Sequence, residues 1–448
     1  MSFLSKKEGI ILFLGDILFF VFSLWVALYL RFGEIPSTAR FEIHIIPFSI
    51  LFLVWIIVYF IAGLYEKHTL ILKSKLPTII FNAQVVNSIF AIVFFYTVPF
   101  FGITPKTILF IYLVVSFICV LLWRLYGISF FGSKEKQPAL LIGAGDEMKE
   151  LLNEVNNNTR YDLSFVSSVD VNDIDSIDIQ EDIIKTVYSN DIKIIVIDFS
   201  NEKVVPLLPH LYNLIFSKVR FIDSHKIYED IFDRIPLSLV TYSWFLENIS
   251  VSPKFTYDFL KRIMDLVLSL PLGIVSLLFY PFVYAAIKLD DRGDIFIKQG
   301  RVGKDGKNIN LYKFRSMGRN EVELGEKTDN KITRVGNVLR KTRIDELPQL
   351  WNVILGNISL IGPRPELPSG VSIYEKEIPY YNIRHLIKPG LSGWAQINQE
   401  SHPHHSAHVS LTKEKLTYDI YYIKNRSFWL DIKIALKTIK SLLSRSGL

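Results

Sequence analysis

Apolar residues run almost unbroken over 9–30, where Asp16 is the one charge. Similar runs occur at about 44–64, 81–101 and 107–124. Each is long enough, or nearly so, to cross a hydrocarbon core of about 30 Å, so the pattern predicts four membrane helices. After them the pattern changes. A buried-strand run from Pro138 ends in the turn Gly143-Ala144-Gly145-Asp146, and Met148 to Val155 reads as a helix. Further strands are expected at 163–168 and 192–198, which predicts a small parallel α/β domain. A fifth apolar stretch, 263–287, lies between Lys261-Arg262 and Lys288; a plain fifth span is one reading, and basic flanks at both ends argue instead for insertion from one side. Near the end, Ile432, Leu436, Ile439 and Leu443 share one helical face and Lys433, Lys437 and Lys440 another, the pattern of a helix in a membrane interface or of one packed on the protein core.

Lys6 and Lys7 precede the first run, and Lys67, Lys73 and Lys75 lie between the second and third. Positive residues stay inside, which places the N-terminus, that loop and everything after the fourth span in the cytoplasm. The first run is too long for a signal-peptide core and lacks a small-residue cleavage site. Asn82, Gln84 and Asn87 in the third span are expected to join helices by hydrogen bonds.

Composition agrees with a membrane protein: half of the 448 residues are hydrophobic, and mean hydropathy is +0.29. Cys119 is the only cysteine, which excludes an intramolecular disulfide framework and a cysteine zinc site. The net charge of +6 suits an anionic leaflet and anionic substrates, and no nucleic-acid motif is present. His402, His404, His405 and His408 match no zinc spacing and read as a loop, as do the acids of 170–182. The glycine turn resembles the dinucleotide fingerprint, but Met148 stands at the third glycine position, which favours a structural or regulatory Rossmann-like domain over a cofactor site. Tyr257 and Lys261 have short-chain-dehydrogenase spacing without its glycine pattern.

The densest chemistry lies in Arg343-Ile344-Asp345-Glu346-Leu347-Pro348-Gln349-Leu350-Trp351-Asn352-Val353. Lys331, Arg334, Arg340, Lys341 and Arg343 precede the two acids with no acid between them. Pro348 suits a first helical turn, and Leu347, Leu350, Trp351 and Ile354 follow at helical spacing. Asp345 and Glu346 therefore belong at or near a helix start, where an ionised carboxylate and phosphate are both favoured. A capping acid with surface charge would leave the same local pattern.

Other motifs flank this segment. Upstream is Gln299-Gly-Arg-Val-Gly-Lys-Asp-Gly-Lys-Asn-Ile-Asn-Leu-Tyr-Lys-Phe-Arg315. Downstream are Ser359-Leu-Ile-Gly-Pro-Arg-Pro-Glu366 and Ile387-Lys-Pro-Gly-Leu-Ser-Gly-Trp-Ala-Gln-Ile-Asn398. In this order, over roughly 255–445, the chain resembles the bacterial sugar transferases, the monotopic phosphoglycosyl transferases that load a phosphosugar onto polyprenyl phosphate. The whole chain resembles their long form. That implies a four-helix transmembrane bundle (1–130), a Rossmann-like parallel α/β domain (131–250) and an α/β catalytic domain (251–448) with interfacial helices. It also implies a re-entrant membrane helix over 263–287, on the cytoplasmic face of the bacterial inner membrane. The family's Ser-Pro pair is absent there; Leu270-Pro271 and Tyr280-Pro281 are the places where the helix could break.

By the same resemblance, Asp345 is the nucleophile that takes a sugar 1-phosphate from a UDP-sugar with release of UMP, and Glu346 assists. Undecaprenyl phosphate is the acceptor, beginning surface polysaccharide or glycoconjugate assembly. Mg²⁺ is the expected cofactor, with Asp345 as its ligand. Arg364, Lys313, Arg315, Arg301 and Lys388 are candidates for phosphate binding, and Trp394 and Gln396 for a nucleobase or sugar pocket. Pairing of two copies through the intermediate domain stays open. The alternative enzyme is a membrane-anchored NAD-dependent nucleotide-sugar dehydratase or epimerase. A transporter or scaffold is the non-catalytic reading, and the scarcity of intramembrane charge makes a poor transport path.

Overall fold

Four long apolar helices open the chain: α1 (Lys6–Phe32), α2 (Thr38–Ile61), α3 (Leu76–Thr97) and α4 (Lys106–Leu122). This is a membrane protein. The computed structural model describes residues 6–65, 76–98, 106–127, 136–158, 161–172, 179–199, 201–249, 254–290, 292–318, 332–399 and 409–444. The lysines of 66–75, the acids of 173–178 and the four histidines of 402–408 lie outside these residues. The bundle buries Phe20, Phe48, Phe52, Trp55 and Tyr112 against one another and leaves Ile10, Leu14, Leu18 and Leu53 outward, as lipid-facing helices require.

Polar side chains join these helices more selectively than the sequence predicts. Gln84 donates to the Leu113 carbonyl at 3.0 Å and to Ser116 Oγ at 2.8 Å, linking α3 to α4. Asn82 instead faces outward, and the buried Asn87 amide has no side-chain partner among the described residues. Asp16 and Arg124 are fully buried together; Tyr65 Oη donates to Asp16 at 2.7 Å, and Arg124 also donates to the Leu64 carbonyl at 2.6 Å. Removing one partner of a buried ion pair costs about 3–5 kcal/mol, whereas removing both costs far less. Asp16→Asn is thus expected to lower the melting temperature in detergent, and Asp16→Leu with Arg124→Met to recover most of the loss. Equal loss in both variants would contradict the pairing.

Next come β1 (Gln137–Gly143), α5 (Asp146–Asn157), β2 (Leu163–Asp170), α6 (Ile179–Ser189), β3 (Ile194–Ile197), α7 (Leu208–Tyr212), β4 (Arg220–Asp223) and α8 (Ser224–Phe232). The strands form one parallel sheet in the order β2-β1-β3-β4. β4 is an addition to the expected strands, a four-residue strand too short and too charged to signal itself. Gly145 has φ 96, a left-handed conformation that glycine adopts freely. Met148 is buried against Gly143, where a Cβ would lie 2.9 Å from its Sδ.

By contacts the chain divides at Asp230/Ile231. The second unit contains α9 (Tyr242–Asn248), α10 (Phe255–Ser276), α11 (Tyr280–Asp290), β5 (Phe296–Val302), β6 (Asn308–Phe314), α12 (Arg334–Lys341) and α13 (Gln349–Leu355). It ends with β7 (Ser359–Ile361), α14 (Pro368–Glu377), β8 (Gly390–Ser392), α15 (Trp394–Asn398), α16 (Val409–Asn425) and α17 (Phe428–Ser444). Ile235, Val240, Trp244 and Phe245 share a buried cluster with Tyr374, Tyr381 and Leu416, so 231–249 packs with the residues that follow it.

The apolar stretch 263–287 bends by 53° between α10 and α11. Pro271 stays inside α10, and the bend falls at Leu277–Phe279. Pro281 has no N–H for the Leu277 carbonyl, which instead accepts from Tyr280 N at 3.2 Å in a tighter turn. Ser276 Oγ also bonds back to the Gly273 carbonyl at 2.6 Å, a contact that bends helices. In α17 the buried positions are Asp431 and Ile434, while Trp429, Ile439 and Leu442 face outward. Tyr257 and Lys261, the dehydrogenase-like pair, both bond Asp431, at 3.0 and 2.9 Å. They fasten α10 to α17.

Candidate active site

Two acids adjacent in sequence occupy opposite electrostatic situations. Arg343 turns the chain with a left-handed φ of 58, and Ile344–Glu346 forms a 3₁₀ turn that continues through Leu347 and Pro348 into α13. Asn352 on α13 holds this helix to the β5–β6 hairpin: its Oδ1 accepts from Tyr312 N at 3.1 Å and its Nδ2 donates to the Asn310 carbonyl at 2.9 Å. From α10, Arg262 donates to the Val353 and Ile354 carbonyls at 2.8 and 2.7 Å, satisfying the end of α13. Asp265 accepts from Ser359 Oγ and Leu360 N at 3.0 and 2.9 Å. Helix α10 thus grips both α13 and the strand that leads to Arg364.

Ile297 pairs with Lys313 and Arg301 with Ile309, so alternation puts Lys313 and Arg301 on one face of the hairpin. Leu311 between them packs on Val353 and Ile358, turning that face toward α13. β7 pairs with β8, and Gly362 passes so close to that strand that a Cβ there would lie 2.7 Å from the Lys388 carbonyl. Just beyond, Arg364 projects to Glu346.

Glu346 Oε1 accepts from Arg364 Nη2 at 2.5 Å and Lys313 Nζ at 3.1 Å, with Arg343 Nη1 at 4.0 Å. Burial pushes this carboxyl up, but Arg364, Lys313 and Arg343 outweigh it and hold it well below the usual carboxylate range. Asp345 is 7% exposed, and its Oδ1 has no hydrogen-bond partner among the described residues. Burial, then the charge of Glu346, raises it above the usual carboxylate value against the pull of Lys313, Arg340 and Arg343. Burial also lowers Lys313, an effect that Glu346 opposes. One acid anchors the cations; its neighbour is buried with Oδ1 unpartnered among the described residues.

Not every predicted site residue joins them. Arg301 donates to Gln299 and the Pro365 carbonyl at 2.7 and 3.2 Å, beside the Arg364 loop. Arg315 lies at the end of β6 and donates to the Met317 carbonyl at 2.8 Å. Lys388 is exposed. Trp394 is 1% exposed, stacked on Tyr421 and bonded to the Asp233 carbonyl at 2.8 Å, so its indole belongs to the core. Gln396 lies on the same short helix with its Oε1 buried and unpartnered among the described residues.

Sequence reasoning missed the network under the Arg364 loop. Arg384 donates to the Arg364 carbonyl at 2.8 Å and pairs with Asp419 at 2.9 Å; Lys415 pairs with Glu366. Burial pushes Glu366 up, but Lys415 and Arg384 hold it down to about 2. Against an ordinary value of 4.5 this contributes about 3 kcal/mol of stability. Because the folded value is the lower one, that stability is present above 4.5 and is lost as pH falls toward about 2. Glu366→Gln is expected to lower the melting temperature at pH 7, with the gap to wild type closing over that acid window. A gap that persists unchanged would count against the network.

Residues 256–445 match the family model for bacterial sugar transferases. The chain is 39% identical over 194 residues to the exopolysaccharide production protein PSS of Rhizobium leguminosarum bv. phaseoli, a match covering 42% of this chain and 96% of that one. It belongs to the bacterial sugar transferase family. The transferase is also 43% identical over 205 residues to the UDP-N-acetylgalactosamine-undecaprenyl-phosphate N-acetylgalactosaminephosphotransferase of Aeromonas hydrophila, covering 44% of this chain and 47% of that protein. Its identity to the UDP-glucose:undecaprenyl-phosphate glucose-1-phosphate transferase of Escherichia coli (strain K12) is 38% over 187 residues, 40% of this chain and 39% of the relative. The chain thus spans less than half the length of these last two. Both carboxylates, Lys313, Arg364 and the network beneath them lie within the matched segment of the transferase.

Proposed function

We propose that this transferase moves a sugar 1-phosphate from a UDP-sugar to undecaprenyl phosphate, through a covalent phosphosugar on Asp345. The observation that carries this reading is the split pair: Glu346 neutralised by Arg364 and Lys313, Asp345 buried with Oδ1 unpartnered among the described residues. A lone pair on the Asp345 carboxylate forms a bond to the sugar-bearing phosphorus. The bridging P–O bond breaks, and UMP leaves with its electrons. A phosphate oxygen of undecaprenyl phosphate then attacks the same phosphorus, and Asp345 departs as a carboxylate. Covalent catalysis of this kind divides one difficult displacement into two. Arg364 and Lys313 offset charge on the transferred group. The sugars named for the Aeromonas and E. coli relatives differ, so what supports this reading is their shared acceptor and reaction type.

No group of three or more His, Cys, Asp or Glu is gathered among the described residues. Mg²⁺ fits such a site, since it takes one or two carboxylates and completes its shell with phosphate oxygens and water. Asp345 would hold it, and the ion would neutralise phosphate charge. The bend between α10 and α11 suits a re-entrant helix that enters and leaves on the cytoplasmic side, where nucleotide-sugars are found. Basic Lys261, Arg262 and Lys288 at both ends of the stretch favour the same side.

The test is UMP release from a panel of UDP-sugars by the full chain with undecaprenyl phosphate and Mg²⁺. Release with one sugar, dependent on the lipid, is expected. No release from any sugar by folded protein would overturn the reading and turn attention to bound NAD.

A further inference from the structure

Gln349 sits in the first turn of α13, four residues after Asp345. It is 3% exposed, and its Nε2 has no hydrogen-bond partner among the described residues. A buried donor left unpartnered costs roughly 1–3 kcal/mol, so such a group calls for an acceptor that arrives later. Ile344–Glu346 is a 3₁₀ turn that Leu347 and Pro348 carry into α13, so Gln349 follows Asp345 by little more than one turn of the chain. A missing donor bond at Gln349 therefore stands one turn from a missing acceptor bond at Asp345 Oδ1. Lys313, Arg340 and Arg343 bring positive charge to this space against the negative charge of Glu346, whose Oε1 is already held by Arg364 and Lys313.

We propose that Gln349 is a further catalytic residue, its side-chain amide donating to a non-bridging oxygen of the phosphoryl group as it passes to and from Asp345. This rests on the reading above. The amide is neutral, so it gains and loses no proton in either displacement. It adds a directed donor to the charges of Lys313 and Arg364, and it is buried before substrate binds. A fixed donor of this sort acts on the transition state rather than on affinity.

The test compares the wild type, Gln349→Met and Gln349→Glu as full chains in lipid nanodiscs, with Asp345→Asn as the blank. Gln349→Met keeps the volume and removes the donor. UMP release is followed both in a single turnover without acceptor and at steady state. The expected result for both variants is a fall of about 10²-fold in the single-turnover rate and in kcat, with the UDP-sugar KM within about threefold. The melting temperature of Gln349→Met should not fall, because an unpartnered buried amide has been removed. Retention of kcat within about threefold, or a raised KM with kcat unchanged, would overturn the assignment. So would activity lost only in proportion to unfolded protein; if Gln349→Met fails to fold, Gln349→Glu carries the same comparison. Absence of UMP release by the wild type would instead remove the parent reading.

Discussion

Asp345→Asn should abolish turnover, by at least about 10³-fold, while leaving the protein as stable as the wild type or more so. Asn matches Asp in shape but offers no carboxylate to attack phosphorus. The stability half follows from burial. Asp345 is 7% exposed, Oδ1 accepts no hydrogen bond among the described residues, and Glu346 repels its charge. An ionised group in that setting is a strain on the fold, and its neutral isostere relieves it. A merely structural aspartate would behave in the opposite way, with stability lost and activity partly retained. The pH profile carries the same signature. Attack needs the ionised form, and burial followed by the Glu346 charge raises the pKa, so kcat/KM should fall with acid above the ordinary carboxylate range. Thermal unfolding and UMP release on the same preparation check both halves.

Glu346→Gln should lower kcat by about 10²-fold without raising KM, and should move the acid limb to lower pH. Four consequences follow from removing one charge. Arg364 and Lys313 lose the charge on the oxygen that holds them at 2.5 and 3.1 Å, and the amide that replaces the second oxygen repels them, so their aim at the phosphoryl group is loosened. Freed of that partner they still attract phosphate in the ground state, which keeps KM from rising. Asp345 loses its repelling neighbour and ionises more easily. Stability falls too: Glu346 is ionised at neutral pH because its cations outweigh burial, and that contribution is lost only as pH drops through the depressed folded value. A kcat/KM profile whose acid limb moves upward, or a KM that rises with kcat unchanged, would contradict this account.

What could be seen in the sequence was whatever the chain states locally. Four apolar runs were legible because a membrane demands unbroken length, and the Asp345-Glu346 pair because basic residues precede it and a proline-led helix follows. Long-range placement was not legible. Arg384 and Asp419 meet from different helices, and no spacing announces that their pairing holds the carbonyl of Arg364. Trp394 stands in a glycine-rich motif that suggests a ligand, yet its packing on Tyr421 is set by α16, far along the chain. Arg315 and Lys313 look equivalent two residues apart; the end of strand β6 separates them, sending one to Glu346 and the other to the Met317 carbonyl. Gln349 lies in the same motif, but its spacing does not show that its side-chain Nε2 is buried and unpartnered among the described residues.

The most direct test withholds the lipid acceptor. The full chain would be incubated with a UDP-sugar labelled in the sugar-bearing phosphate, then quenched, digested and analysed by mass spectrometry. The account predicts about one phosphosugar per protein, on the peptide containing Asp345, discharged when undecaprenyl phosphate is added. UMP release that requires the lipid from the outset, with no labelled peptide at any time, would contradict it.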